Sequence, residues 1–297
     1  MRPEIPALLF GVLIVSFVRK EFKPRGGSAP LTRFILGMAM IIGAFIFIGC
    51  PTTMLLRLAR GDIAALIGTG GFVAGVCGGM FFHRKGFDLG KPQSAVRSEG
   101  GILPALGILA LIALIFFPGL LNFSEQGFGS FHAPIIVSII GGMVVGGIGF
   151  VSRFCSVAPV RDGIFMKNFG ALSIIGGFMV VLVGYNLIFG HFSLGMEATP
   201  FSHTDVLWNV LSMGLVGFVA VLAGGCPFRQ LVHAGSGSSD AAITVFGMMV
   251  GTALVHNLGL ASSAAGVSEN APIAFAIATA FVLAIAVSNT FFGKKGV

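Results

Sequence analysis

Long apolar runs alternate with short polar stretches along the whole chain. A membrane span needs about 20 mainly apolar residues. The pattern predicts nine such spans, at residues 5–18, 31–49, 63–82, 102–121, 133–151, 168–189, 206–224, 241–259 and 271–292. We therefore expect an all-α polytopic membrane protein with one integral membrane domain, residues 1–297, and with its termini on opposite sides of the bilayer.

Composition strengthens this interpretation. Of the 297 residues, 55% are hydrophobic and only 10% are charged, whereas a soluble domain carries about 25% charged residues. The 45 glycines lie mostly inside the apolar runs, where they permit close approach between helices in lipid. An ordinary soluble enzyme is excluded.

The net charge of +7 could suggest nucleic-acid binding, but the basic residues gather in alternate connections, as orientation signals do. If the connection 19–33 is cytoplasmic, only Arg2, Arg57 and Arg60 of the 18 Lys and Arg residues fall on the other side. We predict no nucleic-acid partner. We also predict an inner-membrane location with the N-terminus outside and the C-terminus in the cytoplasm.

Three connections break the regular pattern: 50–62, 152–167 and 225–240. Each follows directly from a predicted helix, and the first and third are too apolar for surface loops. Non-helical backbone at membrane depth is tolerated only where protein or a water-filled cavity surrounds it. We therefore predict re-entrant segments with short half-helices.

The three breaks resemble one another. Each has an early cysteine followed, at the same spacing every time, by a glycine, in the pairs Cys50 and Gly71, Cys155 and Gly176, and Cys226 and Gly247. This defines repeat-like units at about 31–82, 133–189 and 206–259. Under the predicted topology, the first break enters from outside and the third from the cytoplasm. Inverted repeats of this kind are typical of transporters, whose sites lie where broken helices meet.

The first and third breaks share Gly-Cys-Pro, as Gly49-Cys50-Pro51 and Gly225-Cys226-Pro227. We expect the glycine to end the incoming helix with an unusual dihedral angle and the proline to begin a new helix. The cysteine then lies at a helix N-terminus, which attracts anions and lowers a thiol pKa. Cys155 has no adjacent proline, and Pro159 follows only at the fourth position after it. The chain has no C-x-x-C pair, so we predict no metal site and no cofactor.

Charged residues at the breaks allow two interpretations. Arg57, Arg153, Arg161 and Arg229 could bind an oxyanion, or could pair with Asp62, Asp162 and Asp240 and fix the loops; we favour pairing. We predict that these aspartates cap the following helices. His233 lies in the third break, where an ionisable residue is a functional candidate, although a neutral hydrogen-bonded histidine stays open. His203 is expected at the interface, and Cys77 to be a packing residue.

Three motifs carry a resemblance to a known family: FIGCPTTMLLRLARGD (47–62), VSRFCSVAPVRD (151–162) and LAGGCPFRQLVHAGSGSSD (222–240). They resemble the YeeE/YedE family, whose members include thiosulfate uptake proteins, and are most similar to its YedE-type selenium-transporter branch. The resemblance implies an hourglass-shaped bundle with a narrow waist. It also implies that Cys50, Cys155 and Cys226 relay a sulfur-containing anion through S–H hydrogen bonds. Cys155 departs from the pattern, since FCSVAP lacks the flanking glycine and proline.

We therefore predict a non-enzymatic transporter that takes up a small sulfur or selenium anion, such as thiosulfate, with a cytoplasmic sulfurtransferase-like protein as a candidate partner. A thiol is a weak donor that suits a soft, polarisable acceptor. One alternative is an aquaporin-like passive channel for small solutes. Another is a membrane thiol or sulfur-transfer protein, which would need a paired dithiol, haem-type histidine pairs or a quinone site; the sequence indicates none.

Overall fold

The structure is a computed structural model that describes residues 3–116, 133–196 and 201–292. Twelve α-helices form in this part of the chain: α1 Glu4–Val18, α2 Pro30–Phe47, α3 Pro51–Leu58, α4 Ile63–Arg84, α5 Arg97–Phe116, α6 Ile135–Val151, α7 Ala158–Val160, α8 Gly170–Ile188, α9 Val206–Ala223, α10 Pro227–Gly235, α11 Ser239–Asn257 and α12 Ala271–Val287. π-helical turns follow α7 and α12, at Arg161–Phe165 and Ser288–Phe292. Two short antiparallel strands, β1 Arg25–Gly26 and β2 Gln93–Ser94, complete the set.

Six stretches in the described residues are long and apolar enough to cross a membrane: Pro30–Leu58, Ile63–Arg84, Gly170–Ile188, Val206–Gly235, Ser239–Asn257 and Ala271–Phe291. Three shorter apolar helices are Glu4–Val18, Ser98–Leu114 and Ile135–Val151. The chain is a multi-pass, all-α membrane protein, as predicted, whereas the number of nine spans stays a prediction. Residues 117–121 of the predicted fourth span, Arg2, Lys294 and Lys295 lie outside the described residues.

The chain divides into two compact units of discontinuous sequence. The first unit comprises Met1–Pro30, Gly90–Phe154 and Arg229–Val245. The second comprises Leu31–Leu89, Cys155–Phe228 and Phe246–Val297. All three break cysteines belong to the second unit.

In the first unit, α1 packs closely against α6. A Cβ added at Gly11 would overlap the backbone of Met143, and one added at Gly146 would overlap the carbonyl oxygen of Leu8. The two helices also bound an apolar groove of about 540 Å³. It is lined by Gly11, Ile14, Val15, Met143, Val144, Gly147, Ile148, Val151 and Ser152. These lining residues include no charged or thiol group, so we do not assign the transport site to the groove.

In the second unit, the helix after the first break packs against the helix before the third. A Cβ added at Gly71 of α4 would overlap the carbonyl oxygen of Val210 on α9, and one at Gly75 would overlap that of Gly214. Glycine at these positions therefore lets the two backbones touch, as small residues do between membrane helices.

The reciprocal pair repeats this contact at equivalent positions. A Cβ added at Gly247 of α11 would overlap the carbonyl oxygen of Phe34 on α2, and one at Gly251 would lie 3.0 Å from the Cα of Met38. Phe34 precedes Cys50 by the same separation in the chain as Val210 precedes Cys226. The helices around the first and third breaks thus exchange the same contact in the same register.

The second break does not share this packing. If Gly176 of α8, the third glycine at the predicted spacing, carried a Cβ, that atom would have no heavy atom of the described residues within 4 Å. Close helix approach therefore holds for the first and third glycines only.

Candidate functional site

The chain leaves the helix before each cysteine through the same turn. The residue two positions before the cysteine has a positive φ: Ile48 (62°), Arg153 (54°) and Gly224 (89°). The next N–H then donates to the carbonyl five residues back, in the bonds Gly49 to Ala44 (2.8 Å), Phe154 to Gly149 (3.2 Å) and Gly225 to Ala220 (2.7 Å). This is the Schellman arrangement of a helix C-terminus. The prediction that Gly49 and Gly225 hold the unusual dihedral was wrong, because the preceding residue holds it.

The cysteines differ in where the next helix begins. Cys50 is the extended N-cap of α3, with Pro51 as first helical residue, and Cys226 directly precedes α10, which starts at Pro227. These two positions are as predicted. Cys155 lies three residues before α7, which agrees with its lack of an adjacent proline.

The thiol of Cys226 and the backbone N–H groups of Cys226, Val157 and Ala158 affect the pKa of Cys155. Cys226 is fully buried and Cys155 half-buried. The Cys226 thiol, followed by these N–H groups, lowers the pKa of Cys155 below its ordinary value, although burial acts in the opposite direction.

The third thiol has a different neighbour. The Sγ of Cys50 lies 3.5 Å from the Oγ1 of Thr53, one turn along α3. Both side chains are half-buried. Either group can be the donor, so the Cys50 thiol can donate its hydrogen to Thr53 or accept one from it.

Arg57 holds the first break together. Its Nε donates to Oδ2 of Asp62 at 2.8 Å, its Nη1 donates to the carbonyl oxygen of Phe47 at 3.1 Å, and its guanidinium lies 4.4 Å from the centre of the Phe47 ring. Asp62 in turn accepts from the N–H of Ala65 and caps α4. The favoured interpretation of Arg57, pairing with aspartate, is confirmed, as is the Asp62 cap.

Two carbonyl groups at the helix ends before the breaks bond to side chains that the sequence did not indicate. Arg33 Nη1 donates to the carbonyl oxygen of Ala223 at 3.3 Å, three residues before Cys226, as Phe47 lies three residues before Cys50. His203 Nε2 lies 2.9 Å from the carbonyl oxygen of Ile46. A helix end must satisfy its last carbonyl groups, but that rule does not indicate which distant side chain does so.

His203, which was expected at the membrane interface, is 1% exposed. Burial lowers its pKa, so the ring is neutral near pH 7. Its Nδ1 accepts from the N–H of Asp205, which leaves Nε2 as the donor toward Ile46. The ring thus acts as a neutral cap on α2.

The remaining aspartates do not cap helices. Ala241 donates its N–H to the hydroxyl of Ser238, at the start of α11. Asp240, predicted to be the cap, instead accepts from the N–H groups of Gly27 and Ser28 and from the Ser28 hydroxyl, all within the first unit. The Asp240 carboxylate therefore binds the loop at Gly27 and Ser28, while Ser238 caps the start of α11.

In the second break, Asp162 pairs with Arg161, whose Nε lies 2.7 Å from Oδ1. Asp162 belongs to the π-helical turn after α7, while the next helix begins at Gly170. Pairing is therefore confirmed and capping is wrong. Asp162, together with the Cys155 thiol, raises the pKa of Arg161.

The other predicted site residues, Arg153, Arg229 and His233, belong to the first unit. Arg153 is exposed, whereas Arg229 and His233 are half-buried in the part of α10 that belongs to the first unit. Cys77 is half-buried in α4, and His256 contacts the ring of Phe45 edge-on.

Four buried polar atoms in the breaks have no hydrogen-bond partner among the described residues: Thr52 Oγ1, Arg57 Nη2, Ser156 Oγ and Ser239 Oγ. Thr52 follows Cys50 by two residues and Ser156 follows Cys155 directly. Buried polar atoms without a protein partner are uncommon. The hydroxyl groups of Thr52 and Ser156 add hydrogen-bonding capacity next to Cys50 and Cys155.

Comparison with known proteins identifies one family. The family model described as Sulphur transport matches residues 151–292, which include the breaks at Cys155 and Cys226 but not the one at Cys50. No curated protein matches the chain. The match supports the resemblance to the YeeE/YedE family, and the second half of this multi-pass membrane protein is similar to the Sulphur transport family.

Proposed function

We propose that the protein takes up a small sulfur- or selenium-containing anion, with thiosulfate as the leading candidate, through a waist lined by Cys50, Cys155 and Cys226. The observation that carries this proposal is the turn shared by all three breaks, which places the thiols of Cys50 and Cys226 next to the first backbone N–H groups of α3 and α10. The Sulphur transport match, which covers Cys155 and Cys226, supports it.

The chemistry of these donors suits passage better than retention. A conducting site must bind an ion well enough to admit it and weakly enough to release it. Thiols and backbone N–H groups are uncharged, and the guanidinium groups of Arg57 and Arg161 are already engaged by aspartates. A soft anion would exchange one thiol for the next without meeting a strong cationic trap.

The architecture proposed for this function is an inverted repeat with re-entrant segments, the N-terminus outside and the C-terminus in the cytoplasm. The reciprocal packing of α4 on α9 and of α11 on α2 supports it. Gly49, Pro51, Gly225 and Pro227 would shape the breaks, and Arg57 would fix the first of them. Arg153, Arg161, Arg229 and His233 are candidates for the substrate path.

A competition uptake assay tests the proposal. Cells that express the protein receive labelled thiosulfate with an excess of unlabelled thiosulfate, selenite or sulfate. We expect thiosulfate, and selenite if the selenium branch applies, to suppress uptake, while sulfate leaves it unchanged. Water or glycerol permeation without thiosulfate or selenite uptake would instead support an aquaporin-like channel and overturn the proposal.

One observation favours a second candidate, a membrane sulfur-transfer protein: the Cys226 thiol lowers the pKa of Cys155, which favours a reactive thiolate. Such a protein would release sulfite from thiosulfate as the outer sulfur passes to a thiol. A sulfite assay on purified protein in vesicles separates the two, because a transporter accumulates intact thiosulfate. A cytoplasmic sulfurtransferase-like partner would then act after transport.

A further inference from the structure

The apolar groove between α1 and α6 in the first unit is open along one side. Val144, Ile148 and Val151, which line it, are each more than half exposed. The lining runs along α6 from Met143 to Ser152, about 14 Å at the rise of an α-helix. The hydrocarbon core of a bilayer is about 30 Å thick, so the groove is nearly as long as one lipid leaflet is deep.

The two helices that bound the groove run parallel. Near their starts, the Ser138 hydroxyl donates to Oε1 of Glu4 at 2.9 Å. Near their ends, a Cβ added at Gly147 would lie 3.1 Å from the side chain of Val15. Contacts therefore advance along both helices in the same direction, and the C-termini of α1 and α6 lie at the same end of the groove.

Both helices are followed by a cation held in an unfavourable backbone conformation. Lys20 after α1 and Arg153 after α6 are exposed, and each has a φ of 54°. The chain leaves α1 through the turn already described for α6, with the N–H of Glu21 donating to the carbonyl oxygen of Ser16 at 2.8 Å. Glycine is usual at this position, because a side chain strains a left-handed backbone. A long cation at both equivalent positions indicates a use for the two charges.

This end of the groove attracts anions. Arg19 is paired with Glu21, whose Oε1 lies 3.2 Å from its Nε, so these two charges offset one another. The two helix C-termini contribute about half a negative charge each. Lys20 and Arg153 carry two full positive charges, which exceed that sum.

We propose that the groove binds an anionic phospholipid, with one acyl chain between α1 and α6 and the phosphate at Lys20 and Arg153. An acyl chain suits the apolar lining, and phosphate oxygens accept hydrogen bonds from ammonium and guanidinium groups. In the proposed topology this end is cytoplasmic, where the membrane surface is negatively charged. The lipid site does not depend on which solute is transported.

The charges favour a lipid over a second copy of the chain in this groove. Two copies that met along their grooves around a two-fold axis normal to the membrane would present the same patch to each other. Lys20 and Arg153 of both copies would then lie at the same end of the interface. Like charges repel, whereas an anionic headgroup neutralises them.

The headgroup contacts are tested with the full-length protein in nanodiscs that contain phosphatidylglycerol and phosphatidylcholine in equal amounts, with the same acyl chains. The protein is released into detergent, and native mass spectrometry measures which lipid stays bound. We expect phosphatidylglycerol. Lys20→Gln and Arg153→Gln should each lower its retention relative to phosphatidylcholine about fivefold, the effect of one cation on an anionic lipid. Lys91→Gln, at an exposed lysine elsewhere in the first unit, should leave the ratio unchanged.

The acyl-chain contact is tested by filling the groove. Val144→Trp places a large ring between the helices and should release the lipid. Val145→Trp is the matched control, because Val145 is exposed to a similar extent on the same helix but does not line the groove. Size-exclusion chromatography checks that both variants fold, and the two glutamine variants decide the proposal if Val144→Trp does not.

The other outcomes contradict the proposal in distinguishable ways. Equal retention of the two lipids, or glutamine variants that bind like the unaltered protein, would overturn the headgroup contacts. Equal retention by the two tryptophan variants would overturn the groove. A dimer mass in place of a bound lipid, lost in Val144→Trp, would assign the groove to a second copy. Uptake is not measured, so none of these results depends on the proposed transport function.

Discussion

Arg57 and Asp62 form an ion pair with 2.8 Å between Nε and Oδ2, in which the two side chains are only 7% and 17% exposed. The pair joins α3 to the first turn of α4, and the same guanidinium holds the end of α2 through the carbonyl oxygen of Phe47. One side chain thereby fixes three helix ends around Cys50. These contacts stabilise the backbone of the first break within the second unit.

We expect Arg57→Met to destabilise the protein strongly, because it leaves the Asp62 carboxylate without its partner in a buried position. Loss of one member of a buried ion pair costs about 3–5 kcal/mol. The measurement is thermal unfolding of the purified protein in detergent. Arg60→Met is the matched control, since Arg60 is exposed in the same segment, and equal melting temperatures for the two variants would contradict the bracing role.

The contact between α4 and α9 makes a sharp prediction about two adjacent glycines. Gly71→Ala should destabilise the protein by about 1–3 kcal/mol, because the new methyl group overlaps the backbone of Val210. Gly70→Ala should be neutral or stabilising by up to about 1 kcal/mol, because a Cβ at Gly70 meets no atom of the described residues within 4 Å and alanine favours helix. Thermal unfolding in detergent measures both. A Gly70 variant as unstable as the Gly71 variant would argue against this packing.

Cys226→Ala should abolish thiosulfate uptake while the folded protein stays abundant, whereas Cys77→Ala should change uptake little. Loss of one small buried group costs on the order of 1 kcal/mol, so the Cys226 effect would be on transport and not on folding. Uptake normalised to folded protein from size-exclusion chromatography gives the comparison. Equal uptake by the two variants would remove the distinction between a substrate cysteine and a packing cysteine.

Substrate should shield Cys50 and Cys226 from small alkylating reagents, because an anion held at the breaks lies where the reagent must approach. In sealed, oriented vesicles, we expect Cys50 to react faster with an impermeant reagent added from outside, and Cys226 to stay nearly inert until the inner face is opened. Mass spectrometry reports the labelling of each cysteine with and without saturating thiosulfate or selenite. If neither anion slows labelling at either cysteine, the relay is refuted.

The local pattern of apolar and polar residues predicted most of the helices, because a membrane-spanning segment must be apolar and must satisfy its backbone hydrogen bonds internally. Apolar runs indicated the long helices, and Gly-Cys-Pro indicated the two points at which Pro51 and Pro227 start short helices. The pairing of Arg57 with Asp62 was also accessible, since the two residues are close neighbours in the chain.

Contacts between distant segments were not accessible in this way. Asp240 accepts a hydrogen bond from Ser28, near the other end of the chain, and Arg33 donates to the carbonyl oxygen of Ala223, just before the third break. Residue spacing predicts that the last carbonyl groups of a helix need donors, but not which distant side chain provides them. These long-range hydrogen bonds are therefore the features of the breaks that only the structure supplies.

Ile48 and Gly224 occupy equivalent positions with the same left-handed backbone, but they do not reach it equally easily. A positive φ strains a β-branched residue, whereas glycine adopts it freely, and Ile48 is kept there with its side chain 7% exposed. A Cβ added at Gly224 would have no atom within 4 Å in the part of the chain that the structure describes. The backbone turn before Cys50 is therefore held more rigidly than the turn before Cys226. If either turn moves as an ion passes, we expect the movement at Gly224.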